Sequence, residues 1–407
     1  MSRGTRLLLA VVCGVAVASV YAGQPVLEPM GRDLGVPRDS VGWFVAVGQL
    51  GYLAGLVLLV PLGDLLDRRR LIAAHLGLVA AGLAVTAAAP VAWVAFGGLA
   101  VAGLFAVVVQ TAVAYAASIS PPGERGRNLG VVTSGVVVGI LGARIVTGSL
   151  ADLWGWRSCY LVLAVLAAAL GVLSFFALPT ETRTETERYG QVVRSLGRLF
   201  TRPVFLSRGL IAFFLFASFG TLWSGMALPL AGAPWHLSEA QIGLFGIAGL
   251  AGALGAARSG RWGDSGHAGR VTGVALVLLL GSWLAIGQLG WSLALLIVGV
   301  VALDFAVQAV HVSNQHILTT TYADRTSTTI GGYMVFYSLG SASGATATTA
   351  LFDSAGWTGP AVLGAALSLC ALATWALARR VVRSPSLPLA SPCGTAINDS
   401  CGQGAYR

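Results

Sequence analysis

The sequence predicts an all-α integral membrane protein with twelve transmembrane helices, built as two six-helix parallel repeats. Three observations predict it. Apolar residues make up 56% of the 407-residue chain and charged residues only 10%, with a mean hydropathy of +0.79. A water-facing surface cannot be assembled from these side chains. Apolar segments long enough to cross a bilayer, about 20 residues each, recur along the whole length. Finally, a short charged loop is written twice: Gly63-Asp-Leu-Leu-Asp67-Arg68-Arg69-Arg70 returns half a chain later as Gly260-Arg-Trp-Gly-Asp264, followed by His267 and Arg270.

The spans of the first half are expected at 7–30, 40–62, 71–89, 91–119, 128–150 and 157–178. Those of the second half are expected at 206–231, 238–257, 271–289, 291–320, 327–351 and 357–382. The chain therefore divides into a bundle over 1–178, a hydrophilic linker over 179–205, a second bundle over 206–382 and a polar tail over 383–407. Part of the linker has helical periodicity, with Val192, Leu196, Leu199 and Phe200 on one face, which fits an interfacial helix or a solvated connector. The tail, rich in Ser, Pro and Gly, reads as disordered.

Further landmarks of the duplication follow in the same order and at nearly the same offset. Val41-Gly42-Trp43 returns as Ile242-Gly243-Leu244, Phe105-Ala106-Val107 as Phe305-Ala306-Val307, and Arg125 as Arg325. Asp152-Leu-Trp-Gly155-Trp156 returns as Asp353-Ser-Ala-Gly356-Trp357. Parallel repeats of this kind place a binding site between the halves near the bilayer midplane.

Charge distribution sets the expected orientation. All 25 basic residues are Arg; 21 fall on one side of the layout, Arg32, Arg38 and Arg157 on the other, and Arg144 inside a span. Cytoplasmic loops carry the excess of basic residues, so both termini are expected in the cytoplasm and the protein in the bacterial inner (plasma) membrane. The net charge of +9 follows from this bias and not from a basic face with aromatic partners, so nucleic acid is not expected as a partner. The N-terminal run resembles a signal peptide but continues into a span that the repeat requires, so cleavage is not expected. Cys13, Cys159, Cys370, Cys393 and Cys401 have no metal-ligand spacing. No metal, cofactor or enzyme is expected: there is no His-Glu-x-x-His, and no lysine to complete a phosphate loop.

Polar residues inside spans are costly in lipid and mark candidate function. Span ten is richest: Asp304, Gln308, His311 and Gln315 follow at i, i+4, i+7 and i+11 on one helix stripe, flanked by Asn314 and His316. The stripe fits a central cavity with Asp304 as a proton-carrying carboxylate, or a structural hydrogen-bonding seam. Arg144 keeps its charge and needs a partner; Asp304, Glu28 or an anionic group of a substrate are the candidates. Tyr21, Gln24 and Glu28 share a face of span one, with Pro25 and Pro29 permitting a bend. Glu28 also fits a solvated position near the outer end. Trp223, Phe336 and Tyr337 fit either an aromatic wall or simple packing.

The double Gly-x-x-x-Asp loop, the twelve spans and the central linker together resemble the major facilitator superfamily. Tyr21-Ala-Gly-Gln24-Pro25, Pro61-Leu62-Gly63-Asp64, Glu124-Arg125-Gly126-Arg127, Gly155-Trp156-Arg157 and Asn314-Gln315 resemble a bacterial branch grouped with drug and arabinose efflux permeases. The resemblance implies that Gly63, Asp67, Arg68, Arg70 and Arg125, with Gly260 and Asp264 in the second copy, form a conformational latch that breaks as the halves rock apart. Asp67, followed directly by arginines, is expected to be the principal latch. Ser327, with Thr326, is a candidate N-cap for the helix that Asp67 would face. Two positions depart from the drug-antiporter pattern. Leu99 stands where that group has an arginine four residues before Gly103, and Ile140 follows Gly139 where it has proline.

The function expected is secondary active transport by alternating access: proton-coupled export of a small amphipathic or drug-like molecule by a monomer in the lipid bilayer. Uptake or exchange of a small metabolite is the alternative within transport. A transporter-derived membrane sensor or scaffold is the alternative from another class.

Overall fold

The computed structural model describes residues 1–121, 124–180, 197–257, 268–322 and 326–383. The repeated loop around Gly260 and Asp264, the linker face at Val192 and the tail beyond Arg383 lie outside them. Within the described residues every span is helical, because in lipid the backbone must satisfy its own hydrogen bonds.

The first half runs α1 (Arg3–Tyr21), α2 (Leu27–Asp33), α3 (Trp43–Leu58), α4 (Arg68–Ala87), α5 (Ala92–Phe105), α6 (Val108–Ser118), α7 (Arg125–Trp154) and α8 (Trp156–Ala177). The second half runs α9 (Pro203–Gly225), α10 (Ala227–Ala231), α11 (Glu239–Gly243), α12 (Phe245–Ala257), α13 (Ala268–Ile286), α14 (Leu293–Thr321), α15 (Thr326–Ala355) and α16 (Thr358–Arg383). Four spans are broken helices: α1 with α2, α5 with α6, α9 with α10, and α11 with α12. In the first, a 3-10 turn over Gln24–Val26 interrupts the helix at Pro25, which has no N–H to donate.

Ten stretches among the described residues are long and apolar enough to cross a membrane, and Glu239–Leu254 is a shorter apolar helix. α15 completes the twelve; it is 30 residues long but crowded with Ser, Thr and Gly, which lowers its hydropathy without shortening it. Observed ends fall within about one turn of those expected from the sequence. Phe176, Val274 and Leu284 face outward with more than 70% of their surface exposed, as lipid-facing side chains do. Trp93, Trp154 and Trp291 are also exposed, and all three sit at the arginine-poor edge, where amphipathic indoles anchor a protein at the bilayer interface.

The repeated landmarks have structural reasons. Gly155 joins α7 directly to α8 at φ +78°, and its counterpart Gly356 joins α15 to α16 at φ +58°. Both positions need a left-handed backbone that side chains disfavour. Gly42 and Gly243 are another matched pair, and each presses on the opposite half. A Cβ at Gly42 would overlap the Ala345 carbonyl of α15, and one at Gly243 would come 2.5 Å from the Arg144 carbonyl of α7. Gly148 packs equally closely against Glu239, and the Thr349 hydroxyl donates to the Asp39 carbonyl at 3.0 Å. The arginine-poor side of the molecule is closed by these contacts.

Candidate functional site

Between the halves lies a cavity of about 510 Å³. Its wall includes Gly130, Thr133 and Ser134 from the first turns of α7 and Gln315 from the last turns of α14. It therefore reaches toward the arginine-rich side, opposite to the closed contacts. Most of the wall is apolar or aromatic. Asp304 is the only Asp, Glu, Lys or Arg that lines it among the described residues.

Gln308, His311 and Gln315 share the cavity wall with Asp304, so the helical stripe faces the space between the halves. Asp304 is 1% exposed, and its Oδ2 has no hydrogen-bond partner. Gly249 of α12 packs against it: a Cβ there would stand 2.9 Å from Oδ2 and 2.8 Å from the Trp223 ring. His311 Nδ1 lies 3.1 Å from the Tyr333 hydroxyl, and Gln315 Nε2 lies 3.1 Å from His311 Nε2. Phe216 packs edge-on against His311, with centroids 5.2 Å apart.

Arg144 is placed just behind the wall, also 1% exposed. Its Nε donates to Gln24 Oε1 at 2.9 Å, and one Nη donates to the Ile140 carbonyl at 3.2 Å. The guanidinium lies 3.7 Å from the centroid of Trp223, with Phe219 at 5.5 Å and Tyr21 at 5.8 Å. The partners available to Arg144 thus resolve as an amide and an aromatic face. Its carboxylate candidates make no direct ion pair with it. Asp304 remains within electrostatic reach, whereas Glu28 bonds Arg38 at 2.8 Å near the arginine-poor end. Arg144 Nη2 and Gln24 Nε2 are left without partners, so uncommitted donors stand beside the uncommitted acceptor of Asp304.

Tyr21 reaches across the interface: its hydroxyl hydrogen-bonds the Tyr337 hydroxyl of α15. Tyr337 lines the cavity, but Phe336 turns the other way and stacks on Phe200. Asn314, adjacent to the stripe, is fully buried and accepts from Arg208 at 3.3 Å. Gln49, Tyr52 and Gln110 also line the cavity, with Gln110 Nε2 donating to the Tyr52 hydroxyl at 3.3 Å. Gln49 is fully buried with neither amide atom bonded. The sequence reading passed over these three, although the polar-in-span criterion applied to α14 selects Gln49 and Gln110 equally.

The arginine-rich loop of the first half is tied to its own helix and to α8, where Arg69 lies 4.9 Å over the Phe175 ring. Asp67 is the N-cap of α4 and accepts from the Arg69 amide at 3.0 Å, with Arg70 Nε at 3.8 Å. Arg68 Nε donates to the Gly63 carbonyl at 3.1 Å. Gly63 lies open enough that a Cβ would meet only Thr111, at 3.9 Å. The side chains of Arg125 and Ser327, and all of Gly260 and Asp264, lie outside the described residues.

Three comparisons place this architecture among known proteins. The Major Facilitator Superfamily model matches residues 7–230. An uncharacterized transporter, YgaY, of Escherichia coli O157:H7 is 39% identical over 92% of this chain and 95% of its own length. A chloramphenicol resistance protein of Streptomyces lividans is 31% identical over 56% of this chain and 62% of its own. Among solved structures, a bacterial homolog of the human lysosomal transporter Spinster, in an inward-facing and unoccupied conformation, aligns with a TM-score of 0.77. It covers 93% of this chain and 98% of its own at 15% identity. The chain belongs to the major facilitator superfamily.

Proposed function

We propose that the protein is a proton-coupled secondary transporter that exports a small amphipathic molecule by alternating access. The observation that carries the proposal is the cavity between the halves, apolar and aromatic over most of its wall, with Asp304 as its one described carboxylate. Such a wall suits an apolar body with a few polar groups. A lone buried carboxylate in a membrane span suits a proton carrier.

The contacts at Gly42, Gly148 and Gly243 close one side while the cavity reaches toward the other, so the state is one end of a rocking cycle. With the arginine-rich side in the cytoplasm, it is the inward-open end, and both termini are cytoplasmic in a bacterial inner membrane. Asp67 capping its own helix in this state supports a latch released from the opposite half. Export is supported by the chloramphenicol resistance relative. Leu99 and Ile140, which depart from the antiporter pattern, favour the second reading: uptake or exchange of a metabolite through the same cavity.

The test is a substrate screen in proteoliposomes under an imposed proton gradient. Gradient-driven movement of amphipathic compounds toward the side facing the arginine-poor loops supports export. Movement in the opposite direction supports uptake. Absence of any gradient-dependent flux across a broad panel contradicts proton-coupled transport.

A further inference from the structure

A second buried cluster lies within the C-terminal half, between α9, α14 and α15, and the transport cycle described above does not use it. Its geometry is set by hydrogen-bond direction. Arg208 has only donors, so the oxygen of the Asn314 amide must face it, as the 3.3 Å contact from Nη1 to Oδ1 has it. The Asn314 N–H₂ therefore points away. Asn314 is fully buried, and that nitrogen has no partner. Arg208 Nε is likewise buried and unpartnered.

Donors also arrive from the cavity wall. Gln315 Nε2 donates to His311 Nε2, which leaves the ring proton on Nδ1, directed at the Tyr333 oxygen. Tyr333 is fully buried and stands beside Asn314 and Arg208. The cluster thus gathers the Tyr333 O–H, the Asn314 N–H₂ and the Arg208 Nε–H, and no carboxylate among the described residues acts on Arg208.

The N-terminal half shows what a completed arrangement looks like. There Arg6 donates to Asn128 Oδ1 at 3.0 Å, and Asn128 Nδ2 donates to Ser120 Oγ at 3.1 Å. Ser120 in turn donates to the Ala116 carbonyl at 2.6 Å. Every donor in that chain ends on an acceptor. In the Arg208 cluster, Asn314 Nδ2 and Arg208 Nε end on no acceptor among the described residues.

We infer that Arg208, Asn314 and Tyr333 form a site for a small monovalent anion, of chloride or carboxylate chemistry. An acceptor-only ligand matches donors that have no other outlet among the described residues, and its charge offsets the guanidinium. Arg208 is only partly buried, and His311 and Gln315 line the cavity. The anion enters from the arginine-rich side.

The experiment uses the full chain in detergent, exchanged into sodium gluconate and titrated with sodium chloride or sodium acetate at constant ionic strength, with thermal unfolding as the readout. The site predicts a saturable rise of about 2–4 °C with chloride, acetate or both, and the more effective ion identifies the source. Asn314→Asp supplies the acceptor internally, so it should unfold in gluconate at or above the saturated wild-type temperature and lose the response. Arg208→Gln should lose the response without that gain. No saturable shift with either anion, or an undiminished shift in Asn314→Asp, overturns the assignment.

Discussion

Arg144 of α7 lies 3.7 Å from the Trp223 ring of α9, so the buried cation of one half is held on an aromatic face of the other. The contact sits directly behind the cavity wall, where Phe219 and Tyr21 complete the surround. A desolvated cation–π contact contributes about 2 kcal/mol or more. Only a planar guanidinium can stack there while sending Nε to Gln24. Arg144→Lys should therefore retain the charge but lower transport on the order of 10-fold. Initial-rate flux in proteoliposomes, normalised to folded protein, checks this; an unchanged rate would show that charge alone suffices.

The glycines that close the arginine-poor side should decide which state is populated. Gly243 stands so close to the Arg144 carbonyl, and Gly148 to Glu239, that Gly243→Leu or Gly148→Leu prevents that side from closing. The expected outcome is a shift toward the state open on the arginine-poor side. Spin labels at exposed positions of α3 and α15 on that side should report a lengthened distance by electron double resonance. An unchanged distance distribution would contradict the closing role.

At the other end, Asp67 caps α4. Asp67→Ala should lower thermal stability by the equivalent of about 1 kcal/mol, whereas Asp67→Asn keeps a capping oxygen and should remain near wild type. If the loop also serves as a latch in the opposite state, Asp67→Asn should slow transport while leaving stability intact. Paired melting and flux measurements separate the two roles.

Much of this fold is legible in the sequence because lipid imposes length and hydropathy on each span independently. The 30-residue α15 is legible as a span by its length despite its Ser and Thr content. Helix breaks are announced by proline: Pro25 marks the first, and Pro229, which cannot donate to the Gly225 carbonyl, marks the break around Met226. In the site, the period of Asp304, Gln308, His311 and Gln315 was enough to assign a shared face. Pairing was not legible, because a sequence gives depth along a helix but not its rotation against another. Hence the sequence leaves Asp304, Glu28 and an anionic substrate group all open as partners of Arg144, whereas the structure sets it against Gln24 and Trp223 and places Glu28 on Arg38. Gln49 and Gln110 went unnoticed because each stands singly in its span, without a stripe.

Gly249 offers a test of how tightly the carboxylate is held. Because a Cβ there would crowd both Asp304 and Trp223, Gly249→Ala should displace the carboxylate from its present position. The expected result is a shifted pH dependence of flux with little change in maximal rate. A proportional loss of rate at every pH would point to simple misfolding of the wall.

The most direct test of the central claim, that Asp304 couples transport to protons, compares wild type and Asp304→Asn in proteoliposomes with one transported compound. Two modes are measured: accumulation driven by an imposed proton gradient, and substrate exchange without a gradient. The account predicts that wild type does both, whereas Asp304→Asn still exchanges substrate but no longer accumulates it and loses the pH dependence of the rate. Gradient-driven accumulation by Asp304→Asn at the wild-type level, with the same pH profile, would contradict it.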